Sequence, residues 1–418
     1  MKVKSIRGFK DILPEEIKRW HFIEEKAKSV FEKFGFSEIR IPVLESTKIY
    51  TSGLGGTSDI VEKEMYTFED RDVTSITLRP EGTAGVVRSF IENSMHIKSP
   101  LNKLYYNGTM FRHERPQKGR YRGFNQIGAE CFGSGSPYCD AEVISMLWAV
   151  FDSIVLTTHV NLEINSIGTN EDRAKFRTEL INFFEPQKDN ICEDCKRKLD
   201  GNPLRILDCK NKDCVQIIDN APSILDFLSE ESRDHFENVK LLLEKIKIPF
   251  IVNPRIVRGL DYYTDTVFEL TTDKLGSQNA VAAGGRYDVL VKQLGGPDTP
   301  AVGFAIGLER LILLHEQVFP EVYKNRIDIY IACLGDEAQK KGIYLSNILR
   351  KQGFNVEFGY DNKSLKSQLK RADKLEAEYT IILGESELQR SIFKLKNMKL
   401  SEENEYPLDQ IENFKDLI

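Results

Sequence analysis

The sequence predicts an α/β (α+β) protein in two parts: an antiparallel sheet carrying a helical insertion, then a small C-terminal α/β domain. Three observations lead there. Strand-like runs at 104–111 and 124–133 flank one cationic loop, the pattern of an antiparallel pair. From about 170 the chain turns highly charged and helix-like and holds most of the cysteines. From 327 onward, apolar strand-like and helix-like runs alternate.

Taken in order, residues 15–34 place Ile17, Trp20, Phe22, Ile23, Ala27, Val30, Phe31 and Phe34 at helical spacing, and Gly35 ends the helix. Residues 37–43 read as a strand that Pro42 confines to an edge, a surface suited to a second copy of the chain. Residues 50–63, rich in Gly, Ser and Thr, read as a mobile loop. Short strands follow at 65–68 and 75–78, then a helix at 84–92, another at 140–152 and a strand at 160–164. The insertion spans about 170–248, with helical stretches at 224–228 and 236–246. Strand-like, Gly-rich segments return over 250–310, the last opening a helix near 308. The pattern resets near 318–326, which divides the chain into 1–322 and 323–418. In the second part, strands at 327–333, 356–358, 379–383 and 391–395 and helices ending near 352 and 376 predict a largely parallel sheet.

Composition narrows the function. The 418 residues are 41% hydrophobic, enough for two or three cores. A formal net charge of −6 and a pI near 5.8 exclude a bulk-basic nucleic-acid coat, so any polyanion site must be a local patch. The first residues show no secretory signal and no apolar run is long enough to span a bilayer, so a cytoplasmic protein with no membrane role is expected. Seven cysteines, an odd number unevenly spread, do not suggest a disulfide framework.

Four clusters carry chemistry. In Arg79-Pro80-Glu81-Gly82-Thr83, at a strand-to-helix junction, Glu81 and Thr83 can bind an ammonium group, or simply cap the helix. Around the cationic loop 111–122, Arg112 can fork onto a phosphate or carboxylate, while further cations suit a nucleic acid. On the returning strand Gln126 and Glu130 are four apart, so both face one side. An Arg, an amide and a carboxylate on one face suit an amino-acid zwitterion. In Arg258-Gly259-Leu260-Asp261-Tyr262-Tyr263 a cation and an acid stand beside two aromatics with polar tips. The last cluster is Ala283–Asp288 followed by 301–310. There Gly303 and Gly307 leave room for a flat ligand, and Arg310 in the first turn of a helix suits phosphate oxygens.

Joined in this order, these motifs resemble the bacterial-type histidyl-tRNA synthetases, class II aminoacyl-tRNA synthetases, along essentially the whole chain. The helix and strand ending at Pro42, Phe111-Arg112-His113-Glu114 with its loop, and Gly307-Leu308-Glu309-Arg310 resemble the three class II motifs. Residues 258–263 and 283–288 resemble the two signatures of the histidine enzyme, and the last domain resembles its anticodon-binding domain.

The resemblance implies that L-histidine is activated by ATP and transferred to the 3′ end of tRNA(His) by a homodimer. It implies Arg258 and Arg112 as catalytic residues at the α-phosphate, Arg310 at the γ-phosphate end, and Mg²⁺ accompanying ATP and pyrophosphate. Glu81, Thr83 and Gln126 would take the ammonium, while Glu130 and Tyr263, beside Tyr262, would read the imidazole. Arg115, Gln117, Arg120 and Arg122 would guide the tRNA acceptor end. On the helix 364–376, Lys366 and Lys370 stand near one face and would meet the anticodon stem. Cys192-x₂-Cys195 and Cys209-x₄-Cys214 have near-zinc spacing. Because the resembled fold needs no metal there, reduced structural thiols and no metal are expected. Two competing readings remain. One is a regulatory paralogue of ATP phosphoribosyltransferase, the other an amino-acid ligase without an RNA role. The intact 258–263 signature argues against the first, the basic loop against the second, and the C-terminal domain against both.

Overall fold

The computed structural model describes residues 3–55, 58, 60–258, 260–276, 279–320, 327–360 and 363–418; Gly259 of the 258–263 motif lies outside them. The chain divides into two units, Met1–Glu321 and Val322–Ile418.

The first unit is built on an eight-stranded sheet. Its strand order is Ser37–Glu38, Asn102–Phe111, Gly123–Phe132, Ala301–Gly307, Ala280–Arg286, Thr264–Thr271, Asn161–Ser166 and Ile251–Val252. The six inner strands pair antiparallel, and only the two short edge strands pair parallel. Alternation along the strands sorts side chains to two faces. Ile127, Ala129 and Cys131, with Val302, Phe304 and Ile306 across the ladder, face a core that includes helices Pro14–Lys33, Pro137–Ser153, Glu230–Lys245 and Leu308–Val318. Each large apolar side chain buried there contributes roughly 1.5–3 kcal/mol. The alternate positions, Gln126 and Glu130 with Gly303, Ala305 and Gly307, line a cleft on the opposite face.

Several expectations change. The strand expected at 37–43 is ladder-paired only at Ser37–Glu38. Residues 50–63 are not a plain loop: helix Thr47–Gly53 and a π-helical turn at Ile60–Glu64 bury Tyr50, Leu54 and Ile60. Gly56, Thr57 and Asp59 lie outside the described residues. The insertion forms its own core from helices Asn170–Phe184, Glu193–Asp200 and Lys212–Ile218. That core closes at Leu228. The next helix, Glu230–Lys245, sends Phe236, Val239 and Leu243 into the main core instead.

In the second unit, Val356–Phe358, Ile329–Cys333 and Tyr379–Leu383 pair parallel. Ile392–Asn397 and Glu403–Pro407 then add antiparallel, so the sheet is mixed rather than largely parallel. The strand 403–407 was not expected. It begins with the exposed polar run Glu403, Asn404 and Glu405, so no apolar alternation marks it. Among the described residues no helix is long and apolar enough to cross a membrane.

Candidate active site

The cleft over the sheet has a volume of about 310 Å³. Glu81, Thr83, Arg112, Gln126, Glu130, Arg258, Tyr262, Tyr263 and Arg310 all line it, although they come from five separate stretches of chain.

One end is acidic and rich in hydroxyls. Glu130 is 1% exposed, and Gly303 on the neighbouring strand lies so close that a Cβ there would collide with its carboxylate. Thr83 donates its hydroxyl to Glu130 Oε1 at 2.7 Å and Tyr287 donates to Oε2 at 2.5 Å. Burial pushes the Glu130 carboxyl up to about 8; the Tyr287 and Thr83 hydroxyls pull it down, and the neighbouring Glu81 pushes it up. Glu81 caps helix Thr83–Glu92, accepting from the backbone N–H of Thr83 at 2.7 Å and of Ala84 at 2.8 Å. Both carboxylate oxygens are engaged, yet each keeps acceptor capacity. Burial raises the Glu81 carboxyl above its ordinary value, while those two N–H groups lower it. The capping and ligand-binding readings of this motif are therefore compatible. Gln126 Oε1 is buried and has no hydrogen-bond partner among the described residues. Tyr262 and Tyr263 are buried, their rings 4.7 Å apart.

The other end is cationic. Arg112 donates Nε–H to the carbonyl of Pro80 at 2.8 Å and lies over the Phe124 ring at 5.4 Å, which aims the rest of its fork into the cleft. Arg258 pairs with Glu269 and stacks on Tyr263 at 5.2 Å; its Nε is buried without a partner among the described residues. Arg310, in the first turn of helix Leu308–Val318, donates to the carbonyl of Ala280 at 2.5 Å. Its guanidinium is held below the usual range by burial first, then by Arg120 and Arg112 as neighbouring cations. Arg120 is lowered likewise, by burial and by Arg112. Mutually repelling cations in one cleft are preorganised for a polyanion.

Among the loop residues, Arg115 and Gln117 are exposed, with Gln117 bridged to Arg120 through the backbone. Arg120 turns inward, pairing with Glu114 and lining the cleft. Arg122 donates Nε–H to the Glu114 carbonyl at 3.1 Å and packs its stem against Gly8, so it holds the loop's base. Lys366 and Lys370 are exposed on helix Leu365–Lys374, one turn apart, while Gln368 and Ala372 are buried. Sequence reasoning missed Tyr287 and Glu269. Tyr287 lies inside the 283–288 motif, so a signal was present. There Arg286 is a structural residue, 1% exposed, pairing with the fully buried Asp140 and, at 3.1 Å, with Asp288.

The family model described as histidyl-tRNA synthetase matches residues 8–172 and 204–311, and an anticodon-binding domain model matches 328–414. The chain is 47% identical over 412 residues to the histidine–tRNA ligase of Syntrophotalea carbinolica, covering 99% of this chain and 98% of that one. It is 49% identical over 406 residues to the Geobacter sulfurreducens histidine–tRNA ligase, covering 97% of each. The structure of apo histidyl-tRNA synthetase from S. aureus superposes with a TM-score of 0.82 at 38% identity, covering 99% of both chains. Matched over nearly its full length, with its sequence motifs gathered around one cleft, the chain belongs to the histidyl-tRNA synthetase family.

Proposed function

We propose that this histidine–tRNA ligase joins L-histidine to ATP in the cleft around Glu130, forming histidyl-adenylate and pyrophosphate. It then passes histidine to the 3′ end of tRNA(His). The observation that carries this reading is the division of one cleft into an acidic, hydroxyl-rich end and an arginine-rich end. The first end suits an ammonium and an imidazole, the second a triphosphate. Glu81, Thr83 and the unpartnered Gln126 Oε1 take the ammonium. Glu130 and Tyr263 pair with the two imidazole nitrogens, and Tyr262 packs behind them.

In the activation step a histidine carboxylate oxygen attacks the α-phosphorus, and the bond to the bridging oxygen of pyrophosphate breaks. Two anions must approach one another. Arg112 and Arg258 offset that repulsion with fixed positive charge, the kind of group whose removal costs roughly 10²–10³ in rate. Arg310 and Arg120 hold the β- and γ-phosphates. Mg²⁺ enters and leaves with ATP and pyrophosphate as part of the substrate.

The exposed Arg115 and Gln117 guide the acceptor end, and Lys366 and Lys370 meet the anticodon stem. The enzyme acts in the cytoplasm as a homodimer through the edge at Ser37–Leu44, where Val43 and Leu44 are 42% and 44% exposed. Separate binding titrations test the division of the cleft. Arg310→Ala should weaken ATP and leave histidine binding intact, and Gln126→Ala should do the reverse. Equal losses of both ligands in both variants would remove the assignment.

A further inference from the structure

We propose that Cys192, Cys195, Cys209 and Cys214 form a closed four-thiolate zinc site in the insertion. The spacing is near that of zinc sites, and only the family resemblance favours reduced thiols without metal; the folded chain points to the metal. Two cysteine pairs, 192/195 and 209/214, bring their four sulfurs to one point, all within 4.8 Å of one another. Zinc–sulfur bonds of about 2.3 Å place tetrahedral sulfurs about 3.8 Å apart, and Cys192 Sγ and Cys209 Sγ already lie at 3.9 Å. That separation is nearly twice a disulfide bond, and all four cysteines are free. The backbone N–H of Cys192 donates to Cys214 Sγ at 3.2 Å. Such amide-to-sulfur bonds orient thiolate ligands. Cys195 and Cys214 are buried and the other two half-buried, and four sulfur ligands leave no open position, so the site is structural rather than catalytic.

The surrounding fold explains the need. Helices Glu193–Asp200 and Lys212–Ile218 have 8 and 7 residues, too short to be stable alone. They are joined by the 3₁₀ turn Pro203–Asp208, and all three share a small apolar core. One ion would tie both helices and the turn together. That turn also reaches the active site: Arg205 Nη2 donates to Asp261 Oδ1 at 3.2 Å, next to Tyr262. The zinc site thus acts through Arg205 as a positioning element for the 258–263 segment.

The first test is elemental analysis of full-length enzyme purified under reducing conditions without chelator. About one zinc per chain is expected. Mercurial titration of the four thiols should release it stoichiometrically, read with a zinc dye. Substituted Co²⁺ should show the charge-transfer absorption of tetrahedral thiolate ligation. Cys209→Ser, on a half-buried position, should lower zinc to well under half an equivalent. Zinc-free wild-type enzyme, disulfides among these cysteines in mass spectra of alkylated reduced-condition protein, or zinc retained in a Cys192→Ser/Cys209→Ser double variant would each overturn the site. A variant that does not fold changes nothing, because the wild-type zinc content and thiol-coupled release decide the question alone.

Discussion

Glu130→Gln should separate stability from recognition, because the same burial that makes Glu130 selective makes it costly. Its carboxyl is pushed from 4.5 up to about 8 in the folded protein. A carboxyl whose folded-state pKa is raised favours the folded state fully only below the unfolded value, about 4.5. That contribution is lost as pH rises from there to about 8. At pH 7 the loss spans about 2.5 pH units, or roughly 3 kcal/mol at 1.36 kcal/mol per unit. Gln has no proton to lose, and its amide can still pair with the Thr83 and Tyr287 hydroxyls that now bind Glu130. Denaturant melts of the wild type and variant, followed in the first unit, should nearly coincide at pH 5. They should separate progressively toward pH 8, with the variant the more stable. Histidine affinity should fall by about tenfold to a hundredfold, the worth of one charged hydrogen bond, while ATP affinity holds. A stability difference flat in pH, or a histidine affinity that does not move, would refute the reasoning.

Further outcomes follow from the same geometry. Histidine binding near pH 7 should release up to about one proton, because an imidazole N–H donating to Glu130 favours its ionised form; calorimetry in buffers of different ionisation heat measures it, and Glu130→Gln should abolish the buffer dependence. Arg258→Ala should slow adenylate formation by about 10²–10³, checked by histidine-dependent pyrophosphate exchange; a folded variant with near-normal exchange would remove Arg258 from catalysis. Arg286→Ala should instead destabilise by roughly 3–5 kcal/mol, because it takes the buried cation away from the Asp140 carboxylate and leaves it the His235 ring nitrogen at 2.7 Å; an unfolding midpoint close to wild type would show the pair is not structural. Replacing Lys366 and Lys370 with Ala should flatten the log–log salt dependence of tRNA binding by about one to two units and leave pyrophosphate exchange untouched; an unchanged slope would mark that face as merely solvated.

Where local pattern matched tertiary burial, the sequence was a good guide. Gln126 and Glu130 share a strand face because side chains alternate, and the cleft uses that face. Arg112 and Arg310 were visible because one follows the end of a strand and the other stands in the first turn of a helix. The misses have physical causes. The Gly-, Ser- and Thr-rich run at 50–63 looked like a loop, but burial of Tyr50, Leu54 and Ile60 imposes helical turns on a sequence of weak propensity. Glu269 reads as an ordinary polar strand position, and only the fold brings Arg258 onto it. The cysteine pairs carry metal-like spacing, but their convergence depends on the turn Pro203–Asp208 folding back, which no local pattern announces.

The most direct measurement is ATP–pyrophosphate exchange with each of the twenty amino acids, run in parallel on wild-type, Glu130→Gln and Arg258→Ala enzymes. Wild-type exchange should depend on histidine alone. Glu130→Gln should recover exchange only at much higher histidine, and Arg258→Ala should stay slow even when saturated. Exchange supported equally by other amino acids, or variants that match the wild type at low histidine, would contradict the assignment of this cleft as the site of histidine activation.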